Sequence, residues 1–159
     1  MPPLLGSDAH ILILGTMPGE QSLLKQQYYG NRGNHFWRLI FDVFDAPFSD
    51  DCDFRSIFIK SKGIALWDAL QSCERSGSLD SNISQEFPND FEAFFSRHPQ
   101  FTHVFFSSKA AEKYYDRFAK RHSSINYSTL PSPSGANASK SYAQKLEAWK
   151  VLRQVTEEI

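Results

Sequence analysis

Only two cysteines, Cys52 and Cys73, occur in the 159 residues, and they form no CxxC pair. With no histidine nearby they read as reduced cytosolic thiols, which argues against a disulfide framework and a structural zinc site. An excess of charge is missing too: 17 Lys and Arg face 18 Asp and Glu, a formal net charge of −1. That balance gives no support to indiscriminate gripping of nucleic acid, which needs a basic face. The uneven spread of charge, acidic over Asp42 to Asp53 and basic over Lys109 to Arg121 and Lys140 to Arg153, leaves a local basic patch open. No apolar run approaches the roughly 18–20 residues that span a bilayer. "MPPLLGSDAH" lacks a basic stretch followed by an apolar one, so no signal peptide and a cytoplasmic location are expected.

Several catalytic signatures are absent. "GTMPGEQS" has no Gly-Lys-Ser/Thr ending and is neither a phosphate-cradling loop nor GxGxxG. There is no GxSxG elbow, and Ser134 in "PSPSG" has no evident His and Asp partners. Neither glycine-rich loop carries paired carboxylates or a His/Asp/Glu cluster, so no metal and no cofactor are expected.

What is present is aromatic and alternating. The chain holds 14 Phe and is long enough to bury a core as one domain, residues 1–159. "HILILG" and "FTHVFFSS" are short β-rich apolar runs, as in strands buried on both faces. "NHFWRLIFDVFDA" repeats apolar residues at helical spacing from an expected N-cap, Asn34. "DCDFRSIFIKSKG" predicts a second helix with Asp at its start and Gly at its stop. "IALWDAL" reads as a strand running into a helical turn, and "QSCERSGSLDSNIS" as a polar connection. Helices are predicted in "PNDFEAFFSRHP" and "KAAEKYYDRFAKRH", a strand in "SINYST", and one terminal helix over "KSYAQKLEAWKVLRQVTEEI". Such alternation predicts an α/β fold: a three-layer α/β/α sandwich around a central, mainly parallel four-stranded sheet.

Two loops rich in Gly, Pro, Ser and Asn follow strands: Thr16 to Gly33 and Pro131 to Ser139. In open parallel sheets ligands bind beyond the carboxyl ends of the strands, so both loops should emerge at one edge. Backbone amides, asparagine, serine and aromatics suit a flat polar heterocycle, such as a base flipped out of nucleic acid. Tyr28 and Tyr29 offer a stacking face, and Gly15 and Gly19 allow close backbone approach. On spacing alone Phe36 and Trp37 are core residues. His35 reads as a surface or phosphate-contacting group, Asp68 as a cap or solvated carboxylate ahead of a carboxylate that supports the site from behind, and Ser132 and Ser134 as turn formers.

"GTMPGEQS…YYGNRGNHFW", "LPSPSGANAS" and "KGIALWDAL…SCERSGSLDSNI" together resemble the uracil-DNA glycosylase superfamily. The hypoxanthine (deoxyinosine) and mismatch-specific branches are the nearest in pattern. Where that family places a catalytic Asn or Asp before the first-motif proline, this chain has Met17; where the second motif opens with His in uracil-excising members, it has Leu130. The resemblance implies that Asn34 takes over catalysis, seventeen positions on. It implies a base pocket of Gly15, Thr16, Met17, Pro18, Gly19, Ser22 and Tyr29. It also implies a wedge loop of Ser132, Pro133, Ser134, Gly135, Ala136 and Asn137, in which Ala136 is a small plug.

The implied partner is duplex DNA carrying a deaminated base, acted on by a monomer in a bacterial or archaeal cytoplasm. The implied reaction is hydrolysis of the N-glycosidic bond, hypoxanthine first, leaving an abasic site. Lys25 is the only lysine of the first loop and is poorly placed for a Schiff base, so strand cleavage is not expected. A mismatch-specific uracil glycosylase, a DNA-binding module without catalysis and an enzyme of free nucleosides stay open as alternatives.

Overall fold

The computed structural model describes residues 1–75 and 83–158. Strand β1 (Ile11–Gly15) is buried at every position. The short helix α1 (Glu20–Lys25) follows within the first loop. Next come α2 (Phe36–Val43), α3 (Cys52–Ser61) and β2 (Ile64–Asp68). Strands β3 (Leu70–Arg75) and β4 (Ile83–Pro88) precede α4 (Phe91–Arg97) and β5 (His103–Phe106). The chain ends with α5 (Lys109–Phe118), β6 (Asn126–Thr129), α6 (Tyr142–Trp149) and α7 (Val151–Glu157).

Four strands form one sheet in the order β2-β1-β5-β6, and every neighbouring pair is parallel. Side chains of a strand alternate between faces, and β1 shows the consequence. Ile11 and Ile13 pack with Phe36, Leu39, Ile40, Trp149 and Leu152 of α2, α6 and α7. Leu12 and Leu14 pack with Phe91, Phe94, Ala111 and Tyr115 of α4 and α5. Two apolar layers on one sheet make the expected sandwich. Because β2 and β5 lie on opposite sides of β1, the strand order reverses there, and a crevice opens beyond the carboxyl ends of β1 and β5.

Helix starts follow their caps. Asp51, Asp90 and Ser108 accept backbone N–H bonds from Phe54, Ala93 and Ala111, and Ser141 with Gln144 completes a capping box; each such cap contributes about 1 kcal/mol. Gly63 stops α3 with φ at +72°, a conformation costly for any side chain.

Four expectations need correction. Helix α2 begins one residue later than predicted, with His35 at the N-cap position and no side-chain cap bond. No helical turn follows "IALW": the Ala69 and Leu70 N–H groups donate to Gly15 and Thr16 C=O at 2.8 and 2.9 Å, which holds the chain extended. The supposed polar connection supplies β3 and β4, an antiparallel pair bulged between Leu70 and Ser72; its middle, 76–82, lies outside the described residues. The terminal helix is two helices, because the Arg153 N–H bonds to Lys150 C=O three residues back and tightens the turn.

Candidate active site

A cavity of about 370 Å³ occupies the crevice, within the usual range for a small-molecule site. Residues from the ends of three sheet strands meet there: Gly15 of β1, Asp68 of β2 and Ser107 after β5. Gly15 is the tightest point. A Cβ added to it would lie 2.7 Å from Asp68 Oδ1 and 3.1 Å from the Tyr29 hydroxyl, so only glycine lets those groups converge.

Gly15 to Gly19, Ser22, Tyr29 and Asn34 of the first loop all line this cavity, as do Ser132 to Ala136 of the second. Asn137 does not: its amide donates to Ser132 C=O and accepts from the Ser139 hydroxyl, bracing the loop from behind. The loops touch where two glycines meet. A Cβ on Gly135 would fall 2.3 Å from Gly33 C=O, and Gly33 adjoins Asn34.

The first loop is tied to itself. Ser22 is buried, and its hydroxyl accepts from the Gly30 N–H at 3.0 Å. Lys25 Nζ donates to Gly30 C=O at 3.0 Å, which gives this lysine a structural role. Tyr29 sits at φ +54°, a region that costs a bulky residue roughly 1–2 kcal/mol. Two contacts offset that cost. Its ring stacks on Phe36 at 3.8 Å between centroids, and its hydroxyl donates to Ser107 Oγ at 3.1 Å. One ring face is therefore covered, and a base can stack only on the other. Tyr28 gives no stacking platform: it is 6% exposed, and its hydroxyl donates to Pro2 C=O. Burial, with Asp68 nearby, holds its phenol well above the ordinary range.

The Asn34 side-chain oxygen accepts from the Phe36 N–H at 2.9 Å, which fixes which end of the amide is oxygen. A second lone pair remains for a water. Asn34 thus helps to start α2 while standing at the cavity wall. Met17 is half-buried and packs on the Leu12–Leu14 side of the core, leaving no polar group at that position.

Asp68 is 5% exposed and lines the cavity, so it is neither a helix cap nor a solvated carboxylate. The strand-end rule could have found both Asp68 and Ser107, since each closes a parallel strand; "LWDAL" and "FFSS" carry that signal only once the strands are placed. His35 is half-buried, not a surface group. Burial first, then Lys145 and Arg38, lower its pKa, which favours a neutral ring over a phosphate-binding cation. Ser132 and Ser134 do form turns, with their hydroxyls accepting from the Ser134 and Ala136 N–H groups.

A family model for "Uracil DNA glycosylase superfamily" matches residues 2–153. The chain belongs to the uracil DNA glycosylase superfamily. That membership supports glycosylase function, with DNA as the substrate of the family. A protein named hypoxanthine DNA glycosylase from Methanosarcina acetivorans is 37% identical over 139 residues, which cover 86% of this chain and 85% of that one. A second of the same name, from Methanosarcina barkeri, is 35% identical over 71% of this chain and 72% of its own. The solution NMR structure of a Methanosarcina acetivorans protein, described as a candidate uracil DNA glycosylase, superposes with a TM-score of 0.83 at 35% identity. It covers 98% of this chain and 96% of that one. Among the described residues no group of three His, Cys, Asp or Glu could hold a metal, and no helix is long and apolar enough to cross a membrane.

Proposed function

We propose that this superfamily member is a monofunctional DNA glycosylase that removes hypoxanthine flipped out of duplex DNA. The observation that supports it most is one cavity lined by Tyr29, Asn34, Asp68 and the second loop. In this reading they serve as stacking face, water holder, base-edge acceptor and wedge around one space. The curated relatives named hypoxanthine DNA glycosylase point to the same base.

In this reading the face of Tyr29 away from Phe36 stacks on the base. Asp68 accepts the N1–H of hypoxanthine. Adenine presents a lone pair at that atom, which a carboxylate repels, so the normal base is refused. Asn34 holds a water by its remaining lone pair and aims the oxygen at C1′. As the C1′–N9 bond breaks, its electron pair goes to the base and the sugar gains oxocarbenium character. Water adds at C1′ and gives up a proton that ends on the departing base, leaving an abasic site and neutral hypoxanthine. A carboxylate beside the base opposes negative charge on it. That favours a purine able to take a proton at N7 over a pyrimidine leaving as an anion, and so hypoxanthine over uracil. The Gly19 backbone N–H offers a donor to the departing base.

The wedge loop Ser132 to Asn137 enters the duplex beside the vacated position. In this reading the enzyme acts on DNA as a monomer in the cytoplasm. Labelled duplexes carrying one hypoxanthine, uracil, xanthine or adenine, treated with protein and then alkali, test this. Cleavage is expected at hypoxanthine first and not at adenine. Asp68→Asn, whose amide can turn a donor toward adenine N1, should narrow the hypoxanthine-to-adenine ratio by about tenfold or more. Preference for uracil opposite guanine would replace this with the mismatch-specific reading. Binding without any abasic product would leave a module that recognises lesions only.

A further inference from the structure

The wedge loop departs from ordinary surface loops in how its carbonyls are used. Four successive groups each accept a defined donor. Pro131 C=O takes the Trp149 indole N–H at 2.9 Å, and Ser132 C=O the Asn137 amide at 3.2 Å. Pro133 C=O takes the His35 backbone N–H at 2.7 Å, and Ser134 C=O takes Lys145 Nζ at 3.2 Å. Lys145 and Trp149 stand one turn apart on α6 and so share a face. That face carries the loop.

Lys145 is an unusual residue to find there. It is 1% exposed, whereas lysines are almost never fully buried unless paired. Among the described residues no carboxylate forms an ion pair with it, and Ser134 C=O is the acceptor it reaches. A buried cation with one carbonyl for company is costly, and an apolar side chain of similar length would fill the same space more cheaply. Stability therefore does not explain it. Placement does: the bond ends on the carbonyl that immediately precedes Gly135, where the second loop touches Gly33 and the segment bearing Asn34.

We propose that Lys145 is a positioning residue that holds the wedge loop in its DNA-entering shape. It acts through Ser134, touches neither base nor sugar, and matters most where the lesion must be pried from a paired stack. The inference rests on the glycosylase reading above.

The test compares wild type, Lys145→Met and Lys145→Arg on hypoxanthine paired with cytosine and on hypoxanthine opposite an abasic spacer, which leaves nothing to unpair. For Lys145→Met, kcat/KM on the paired duplex should fall about tenfold or more, the usual weight of a lost charge-assisted hydrogen bond. Most of the change should appear in KM. On the unpaired duplex the fall should be no more than about threefold. Lys145→Arg should recover part of the loss, and the Tm of Lys145→Met should be equal to or above wild type. Hydrogen exchange at the Ala136 and Asn137 amides, read without DNA, should quicken in Lys145→Met while the β1 and β5 amides stay as they were.

Equal losses on both duplexes with a lowered Tm would make Lys145 an ordinary structural residue and overturn the proposal, as would unchanged loop exchange. A wild type that excises nothing would refute the glycosylase reading, and loop exchange would still decide the role of Lys145.

Discussion

The two loops that make the site are ordered in opposite ways. The first, between β1 and α2, is braced largely from within: Ser22 holds Gly30, Lys25 holds the same glycine, and Tyr29 stacks on Phe36 just beyond its end, with longer ties from Tyr29 to Ser107 and Tyr28 to Pro2 added. The second, after β6, has its outer carbonyls held by groups far away in sequence, His35 on one side and Lys145 and Trp149 on the other. A loop braced largely from within keeps much of its shape from local chemistry. A loop braced from outside keeps it only while the helices around it are packed, so its geometry reports on the whole fold.

The sharpest way to break this arrangement is at the contact between the loops. Gly135→Ala puts a Cβ 2.3 Å from Gly33 C=O, a backbone atom that cannot swing aside. The loops must part, Asn34 moves with Gly33, and kcat/KM should fall by about 100-fold, the scale of a 1 Å misplacement at a reacting centre. Steady-state kinetics on a hypoxanthine duplex check this, with thermal melting showing the fold intact.

A smaller effect is expected from the brace of the first loop. Ser22→Ala leaves the Gly30 N–H without its acceptor, a loss of about 1–3 kcal/mol for a buried group. Urea unfolding should show it directly. Activity should follow less steeply than in Gly135→Ala, because Lys25 still holds the other side of Gly30.

The smallest effect is a pH dependence at the seam between the loops. Burial, Lys145 and Arg38 depress the pKa of His35 below the unfolded value of about 6.5. Unfolded chain therefore binds a proton before folded chain does. Stability from the neutral ring is fully present above about pH 6.5 and is lost as pH falls through the folded pKa. Urea midpoints at about pH 7.5 and 5.5 should drop less in His35→Gln than in wild type. His103, depressed in the same direction by burial, leaves a residual slope in the variant.

The same contrast explains what was legible in the sequence. The parallel sheet announced itself through "ILILG" and "HVFF", because strands buried on both faces are apolar at every position. The helix start after Asn34 was off by one residue, since the His35 backbone is drawn to Pro133 C=O, a contact with no local signature. The first-loop residues that line the cavity are legible because their motif is contiguous. Asp68 was misjudged because its neighbours in the cavity, Gly15 and Tyr29, lie 53 and 39 positions away. Lys145 looked like any exposed helix lysine until α6 was placed under the second loop. Strands β3 and β4 were hidden for a different reason: their residues are largely polar, and an antiparallel pair of backbones needs no apolar pattern to form its hydrogen bonds.

The central claim is that Asn34, not the first-motif position held by Met17, prepares the water. Single-turnover excision from a hypoxanthine duplex at saturating protein tests it most directly, with Asn34→Ala against wild type and duplex affinity measured alongside. The account predicts a rate lowered by about 100-fold or more with the Kd for the duplex held within about threefold. Excision that persists at the wild-type rate would contradict it and leave Asn34 with its hydrogen bond to the Phe36 N–H as its whole role.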